Sequence, residues 1–411
     1  MRVVMNSNTS TTSILNGIKV LDLSWGISGP ITSMMLSDNG AEVIKIEPLN
    51  GDPYRNTPGY LVWGRGKQSL ALNLKSVQGK AILTKLVESS DLVLESFSPG
   101  VSDRLDISYE TLAGFNPRLI YCSISGYGSS GTQKNKPGFD QIVAARTGIY
   151  EQPGFRPGPT FVSLPLPSFG AALLAVQGIG VALYVREISG KGQKIETSLL
   201  AGSLAMQPHL VSGVGMASNS FSTGPLAGAS PYGSLPFYRL YQCKDGKWLQ
   251  FGCINVKFVQ KAVKVMGLEE VLADPKFADG RNIPSTEGRE ELIQIVAEKM
   301  LEFTYQEWAT AFDEADVPFS PTLETQEFLN DPQVIYSEQV IELFDPSVGW
   351  VKQPGLPLIF SDNPGRIQGP APRLGEHSEQ ILRGLGYSGK EILFLQKQSI
   401  IAVMSRASRQ S

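Results

Sequence analysis

The 411-residue chain predicts an α/β protein: a doubly wound parallel-sheet domain joined to a smaller α/β domain. Three observations lead there. From Gly17 onward short apolar runs alternate with helical stretches, the pattern of strands linked by crossover helices. The length exceeds what one growing core serves, and hydrophobic residues at 42% suffice for two. A Ser/Gly/Pro-rich segment, "VSGVGMASNSFSTGPLAGASPYGSLP", separates two different compositions.

Taken in order, residues 1–13 ("MRVVMNSNTSTTS") read as a loose polar tail without a signal-peptide apolar run. The large domain spans 14–210. Its strands are expected in "IKVLDLS", "EVIKIEP", "DLVLESF" and "RLIYCSIS", with helices across "ITSMMLSDNGA" and "KAILTKLVESS". Ligands of such sheets bind beyond the carboxyl ends of the strands, here 24–29, 47–52, 96–100 and 125–131, all rich in Gly, Ser, Pro or other small residues. A linker follows over 211–235. The small domain, 236–316, opens on a strand pair, "FYRLYQCKDGKWLQFGC", whose Asp245-Gly246 is a hairpin turn signal, and continues as helices. Residues 317–373, with nine prolines, read as a second linker. Residues 374–411 return to the large domain, with a helical stretch over 388–404.

Between Arg156 and Arg186 the chain runs 29 residues without a charge. That is long enough to raise a membrane span, which needs about 20 apolar residues. Pro157, Pro159, Pro165 and Pro167 break the first half, Gln177, Gly178 and Gly180 interrupt the second, and no basic cluster or aromatic belt flanks it. The stretch therefore reads as an extended lead-in and a core helix over 169–185.

Composition narrows the function. A net charge of −3 without long runs of one sign points to neither nucleic acid nor an anionic membrane surface. Cys122, Cys243 and Cys253 lack metal-ligand spacing and are too few for a disulfide framework, so they read as core thiols of a cytoplasmic protein. No GxGxxG follows the first strand, no P-loop is present, and His209 and His377 are the whole histidine supply. No metal site or tightly bound cofactor is expected.

Six segments, in this order, carry a resemblance: "GIKVLDLSWGISGP", "NGAEVIKIEPLNGDPYR", "GRGKQSLALNLK", "DLVLESFSPGVSDRL", "NPRLIYCSISGYGSSG" and "REISGKGQKIETSLL". Together with the C-terminal "APRLGEHSEQILRGLGYSGKEI", they resemble the class III CoA-transferases, a family that includes the formyl-CoA, carnitine-CoA and benzylsuccinate CoA-transferases. The resemblance covers nearly all of the chain after residue 14. It implies a Rossmann-like large domain, a small α/β domain and two chains interlocked like links. Coenzyme A or an acyl-CoA would be substrate rather than resident cofactor.

By that resemblance, Trp25, Gly26, Ile27 and Ser28 meet CoA after the first strand, and Leu72, Asn73, Leu74 and Lys75 flank its nucleotide. Ser96, Phe97 and Ser98 lie at the third strand end; Lys136 and Phe139 belong to another CoA-facing loop. Arg104 is placed to hold phosphate as a planar fork of donors. Each has a plainer reading: Lys75 as a solvated lysine, Phe97 as core, Arg104 as a partner of Asp103 or Asp106. Pro48 stands where some relatives carry a basic residue, so one CoA contact is missing or replaced.

The family's reaction runs through an aspartate. Counting back from the Arg that opens "R-x-x-x-G-x-G-Q" puts that position at Ser168, and the forward alignment through "GPTFVSLPLPS" agrees. A serine would need a base, and neither His209 nor His377 falls in a motif that supplies one. In the family's racemase element "G-H-D", this chain has Phe139 for the histidine and keeps Asp140, which reads as a structural acid satisfying backbone donors. The leading expectation is a nucleophile-deficient subunit working with a paralogous chain that keeps the Asp, with succinyl-CoA as donor and benzylsuccinate as acceptor. Two alternatives stand beside it: a homodimer that binds a CoA thioester without transferring it, and a transferase using another acid, Asp140 or Glu151.

Overall fold

The structure, a computed structural model, describes residues 12–150, 158–207, 230–233 and 235–404. The expected linker over 211–235, His209 and Glu151 fall wholly or mostly outside the described residues. The chain divides into two units: 1–148, 163–208 and 331–411 form the first, and 149–162 with 209–330 the second.

The first unit is built on Lys19–Asp22 (β1), Glu42–Glu47 (β2), Gln68–Leu72 (β3), Leu92–Glu95 (β4), Ile120–Ser125 (β5) and Lys194–Ser198 (β6). They run parallel in the spatial order β3-β2-β1-β4-β5-β6. This is the doubly wound order, with its reversal between β1 and β4. The helices are Ser28–Asp38 (α1), Tyr60–Trp63 (α2), Val77–Val87 (α3), Val101–Arg104 (α4), Tyr109–Ala113 (α5), Asp140–Arg146 (α6), Leu166–Ser189 (α7) and Leu199–Met206 (α8).

Strand side chains alternate between two apolar layers, as a pleated sheet covered on both faces requires. Leu21, Val93 and Tyr121 join Ile82, Leu83 and Leu86 of α3 and residues of the C-terminal helices Ser378–Gly384 and Gly389–Lys397. Val20, Leu92, Leu94, Ile120 and Cys122 join Ala171, Ala175, Ile179 and Ala182 of α7. Cys122, Cys243 and Cys253 are all buried free thiols, and burial pushes the Cys122 thiol up to about 12.

α7 extends beyond the expected 169–185 at both ends. Its prolines fall at the helix start, where a missing N–H costs nothing, and Gly190 in the left-handed region ends it. It is buried on one side only: the alanines face the sheet, while Phe169, Leu173, Val181, Tyr184 and Ile188 are exposed. By length and composition alone it would also span a membrane.

In the second unit, Leu240–Gln242 (β7) and Trp248–Phe251 (β8) form the expected hairpin, with Gly246 at φ +81° in its turn. Phe319–Pro321 (β9) adds a third strand beside β8. Helices Val256–Met266, Thr286–Met300 and Tyr305–Glu314 enclose a core that includes Phe237, Phe251, Leu292, Trp308 and Phe312.

Three sequence expectations are corrected. The segment over 317–373 is more than a linker, because it supplies β9 and the hairpin of Val340–Asp345 (β10) and Gly349–Pro354 (β11). β3 and β6 are strands beyond those expected; β3 opens on polar Gln68 and Ser69, and β6 (KIETS) carries a single apolar residue. The helix expected over 388–404 stops at Lys397, Ser399 turns through φ +53°, and Ile401–Ala402 (β12) pairs antiparallel with β3.

Candidate functional site

β1 and β4 part company at their carboxyl ends, and that is where the site is built. The last rung is Leu23 N–H donating to Leu94 O at 2.8 Å. Beyond it, Trp25 N–H donates to Ser96 Oγ at 2.9 Å, and Ser96 Oγ donates back to Trp25 O at 3.1 Å. The two loops are thus tied backbone to side chain. Gly26 follows at φ +83°, and the turn into α1 brings Gly29 so close to Ser24 that a Cβ there would lie 2.2 Å from the serine side chain.

A buried charge cluster underpins these loops. Asp22 accepts from Ser24 Oγ and Ser33 Oγ, both at 2.5 Å, and from Lys67 Nζ at 3.1 Å, with Lys45 Nζ 3.7 Å away. Burial pushes the Asp22 carboxyl up, but the two lysines and two hydroxyls outweigh it and hold it well below the carboxylate range. Lys67, wholly buried, is brought down to about 8 by desolvation despite Asp22. Lys45 also donates to Ser24 O and faces Asp52 at 3.4 Å.

Two cavities open beyond these strand ends, the first of them over the charge cluster. One, of about 600 Å³, is lined by Leu72, Asn73, Leu74 and Lys75 with Lys45, Pro48, Asp52 and Leu105. The other, of about 550 Å³, is lined by Gly26, Ile27, Ser28, Tyr54, Ser96, Ser98, Lys134, Lys136, Phe139, Asp140 and Ser168. Trp25 and Phe97 line both. The residues singled out from the sequence are thereby gathered around one double cavity, Arg104 excepted. Arg104 is the exposed last residue of α4 and lines neither. Asp106 pairs instead with Lys80, so the expected Arg104–Asp106 alternative does not form.

At the floor of the second cavity α7 begins. Ser168 lies in its first turn, 2% exposed, with its N–H donating to Asp140 Oδ1 at 2.9 Å and its hydroxyl to Asp140 Oδ2 at 2.5 Å. Asp140, the first residue of α6, therefore caps a turn of α7 whose backbone donors have no helical partner. Burial pushes its carboxyl above the usual Asp value, and the two hydrogen bonds from Ser168 pull against that without cancelling it. His377 is occupied elsewhere, its Nδ1 accepting from Ser69 N–H at 3.2 Å.

Sequence reasoning missed the contact between Asp140 and Ser168, together with Lys45, Asp52, Tyr54 and Lys134. A signal existed for Lys45: a lysine interrupting "EVIKIE" must be paired if that strand is central. For the pair there was none, because 28 residues separate its members.

Comparison with known proteins places the chain. A family profile described as CoA-transferase family III matches residues 15–378. The succinyl-CoA–D-citramalate CoA-transferase of Chloroflexus aurantiacus is 31% identical, covering 94% of this chain and 98% of its own. The succinyl-CoA–L-malate CoA-transferase alpha subunit of the same species is 29% identical, over 94% and 92%. A crystal structure of a CAIB/BAIF family protein from Brucella suis superposes with a TM-score of 0.78 and 26% identity, covering 92% of this chain and all of that one. The chain belongs to CoA-transferase family III, whose members transfer CoA between an acyl-CoA and a carboxylate.

Proposed function

We propose that this chain transfers CoA from succinyl-CoA to a carboxylic acid of the benzylsuccinate type, with Asp140 as the carboxylate that carries the groups. The observation behind it is the position of Asp140: an acid lining the cavity, in hydrogen-bond contact with the residue that replaces the family aspartate. Succinyl-CoA as donor is supported by the two relatives named for it; benzylsuccinate rests on resemblance. The CoA thioester itself would lie along Trp25, Gly26, Ile27, Ser28, Leu72, Asn73, Leu74, Lys75, Ser96, Phe97, Ser98 and Lys136, with Arg104 outside the cavity walls.

The chemistry balances in four steps. Asp140 Oδ2 attacks the thioester carbonyl, expelling CoA thiolate and leaving a mixed anhydride. The thiolate attacks the Asp140 carbonyl, releasing the donor acid and forming an aspartyl thioester. The acceptor carboxylate displaces the thiolate to give a second anhydride, and the thiolate then attacks the acceptor carbonyl, freeing Asp140. In each tetrahedral intermediate on Asp140, Oδ1 gathers charge beside the Ser168 N–H and the positive end of α7.

A second reading has its own support. By the resemblance Ser168 stands at the position of the family aspartate, one relative is an alpha subunit, and α7 exposes an apolar face, all consistent with a silent member of an interlocked heteromer whose paralogous chain supplies the Asp. One experiment separates the readings. The purified chain, alone and coexpressed with an Asp-bearing paralog, is assayed for CoA transfer and treated with hydroxylamine to trap the acyl enzyme. Transfer by the chain alone, abolished in Asp140→Asn, with the adduct on Asp140, is the expected result. Silence alone with activity restored by the paralog establishes the second reading; CoA binding without transfer in either form leaves a binding homodimer.

A further inference from the structure

The second cavity carries an aromatic corner beside Asp140, its only acidic lining residue among the described residues. Trp25 and Tyr54 have ring centroids 6.5 Å apart, and Trp25 and Phe139 pack edge to face at 6.1 Å. Despite these contacts Trp25 stays 36% exposed and Phe139 47%. Both rings keep a free surface toward a cavity of about 550 Å³. Their backbones are fixed: Trp25 by its reciprocal bonds with Ser96, Phe139 as the extended residue that precedes α6. Lys134 and Lys136 line the same cavity, and neither forms an ion pair among the described residues.

Rings held open in a concavity cost hydrophobic free energy unless a ligand covers them. The ligand is defined by what lies next to them. Phe139 and Asp140 line the same cavity, so the ring faces the space into which the exchanged carboxyl must come. The adenine of CoA is carried a whole pantetheine arm away from the thiol. It cannot occupy this corner while the thioester reaches Asp140. The group that can is a substituent on the acid itself, and flat faces meeting edge-on rings favour an aryl group.

We infer that Phe139 and Trp25 hold the aromatic ring of the acid whose carboxyl exchanges CoA, and so select aryl-substituted over aliphatic acids. This rests on the transfer reading above and moves Phe139 from the CoA contacts to the acid contacts. Trp25, lining both cavities, serves both. Lys134, which lines the same cavity, supplies positive charge for an acid bearing a second carboxylate, while Lys136 stays with the CoA contacts.

The test uses the purified full-length chain with succinyl-CoA as donor and two acceptors of equal charge, benzylsuccinate and hexylsuccinate. kcat/KM is measured for the wild type, Phe139→Ala and Phe139→Leu, and the Kd for CoA by calorimetry. The wild type should prefer benzylsuccinate, and both variants should lose roughly 10-fold more of their kcat/KM for it than for hexylsuccinate. Leu keeps bulk without a π face, so a folded Phe139→Leu protein that loses the preference isolates the ring. Equal losses on both acceptors, or a rise in the Kd for CoA matching the loss of transfer, overturn the inference. If the wild type transfers CoA to no acid, the proposed function fails. Saturation-transfer NMR of benzylsuccinate against wild type and Phe139→Leu then decides the ring contact by itself, with unchanged signal in the variant overturning it.

Discussion

Asp140 is charged at the expense of stability, and this separates its chemical role from its structural one. Its folded-state value is raised, so the folded chain holds the proton more tightly than the unfolded chain does. Stability therefore falls as pH rises through that raised value. Asparagine keeps an acceptor for the Ser168 N–H, and its NH2 can donate to the serine hydroxyl. Asp140→Asn should accordingly match or exceed the wild-type melting temperature at neutral pH while transfer is lost; differential scanning fluorimetry beside the activity assay checks both. Ser168→Ala removes a hydrogen bond that lowers the carboxyl. Its effect should be a shift of the acid limb of the kcat profile to higher pH, read from a pH series, with about 1 kcal/mol lost in stability by urea unfolding. The resemblance placed Ser168 where an aspartate is expected, and the sequence reading marked Asp140 as an acid that satisfies backbone donors. What it could not show was which donors, because the partner is set by the meeting of two helix starts.

At the scale of elements, the start of α7 is held in place by the absence of side chains. A Cβ on Gly202 of α8 would lie 2.2 Å from Ala171 N and 2.4 Å from Pro167 O, and one on Gly170 would lie 2.3 Å from Gly202 O. Backbone meets backbone there, with nothing that can swing aside. Gly202→Ala should cost about 1–3 kcal/mol of stability by urea unfolding. It should also reduce transfer, because Ser168 lies one residue from Pro167. The strong elements were legible for a reason: β1, β2, β4 and β5 are apolar runs, and α7 is a long uncharged stretch. β3 and β12 escaped because their strand character comes from the neighbour. A two-residue strand such as Ile401–Ala402 has no periodicity to read.

For the molecule as a whole, stability should depend on the buried cluster of Asp22, Lys45 and Lys67. Asp22 and Glu47 have depressed carboxyls, so their contribution is present above the ordinary Asp and Glu values and is lost as pH falls toward the folded ones. Lys67 acts with the same sign in a higher pH window. Its value drops from 10.5 to about 8, so the unfolded chain binds more protons between those limits, and its contribution to stability rises with pH across that window. Lys67→Met, which leaves Asp22 with Lys45 alone, should lower the unfolding free energy by about 3 kcal/mol and flatten that alkaline rise; urea titrations from pH 4 to 10 check both. The doubly wound architecture was legible from alternation and length, and the family from motif order. The division of labour within 317–373 was not, because prolines there hid two strands of a hairpin, an arrangement that tolerates them at its edge.

The pairing of β12 with β3 has a consequence for how the protein is made. Asn73 and Ser399, at the rim of that pairing, contact each other across 326 residues of sequence. While the chain is still being synthesised, the outer edge of β3 therefore waits with its backbone groups unpaired, through the making of an entire second unit. An exposed strand edge of this kind recruits other nascent chains. Messages cut short before codon 401 should thus yield a protein that stays bound to chaperones or enters inclusion bodies, although every residue of the site has already been translated.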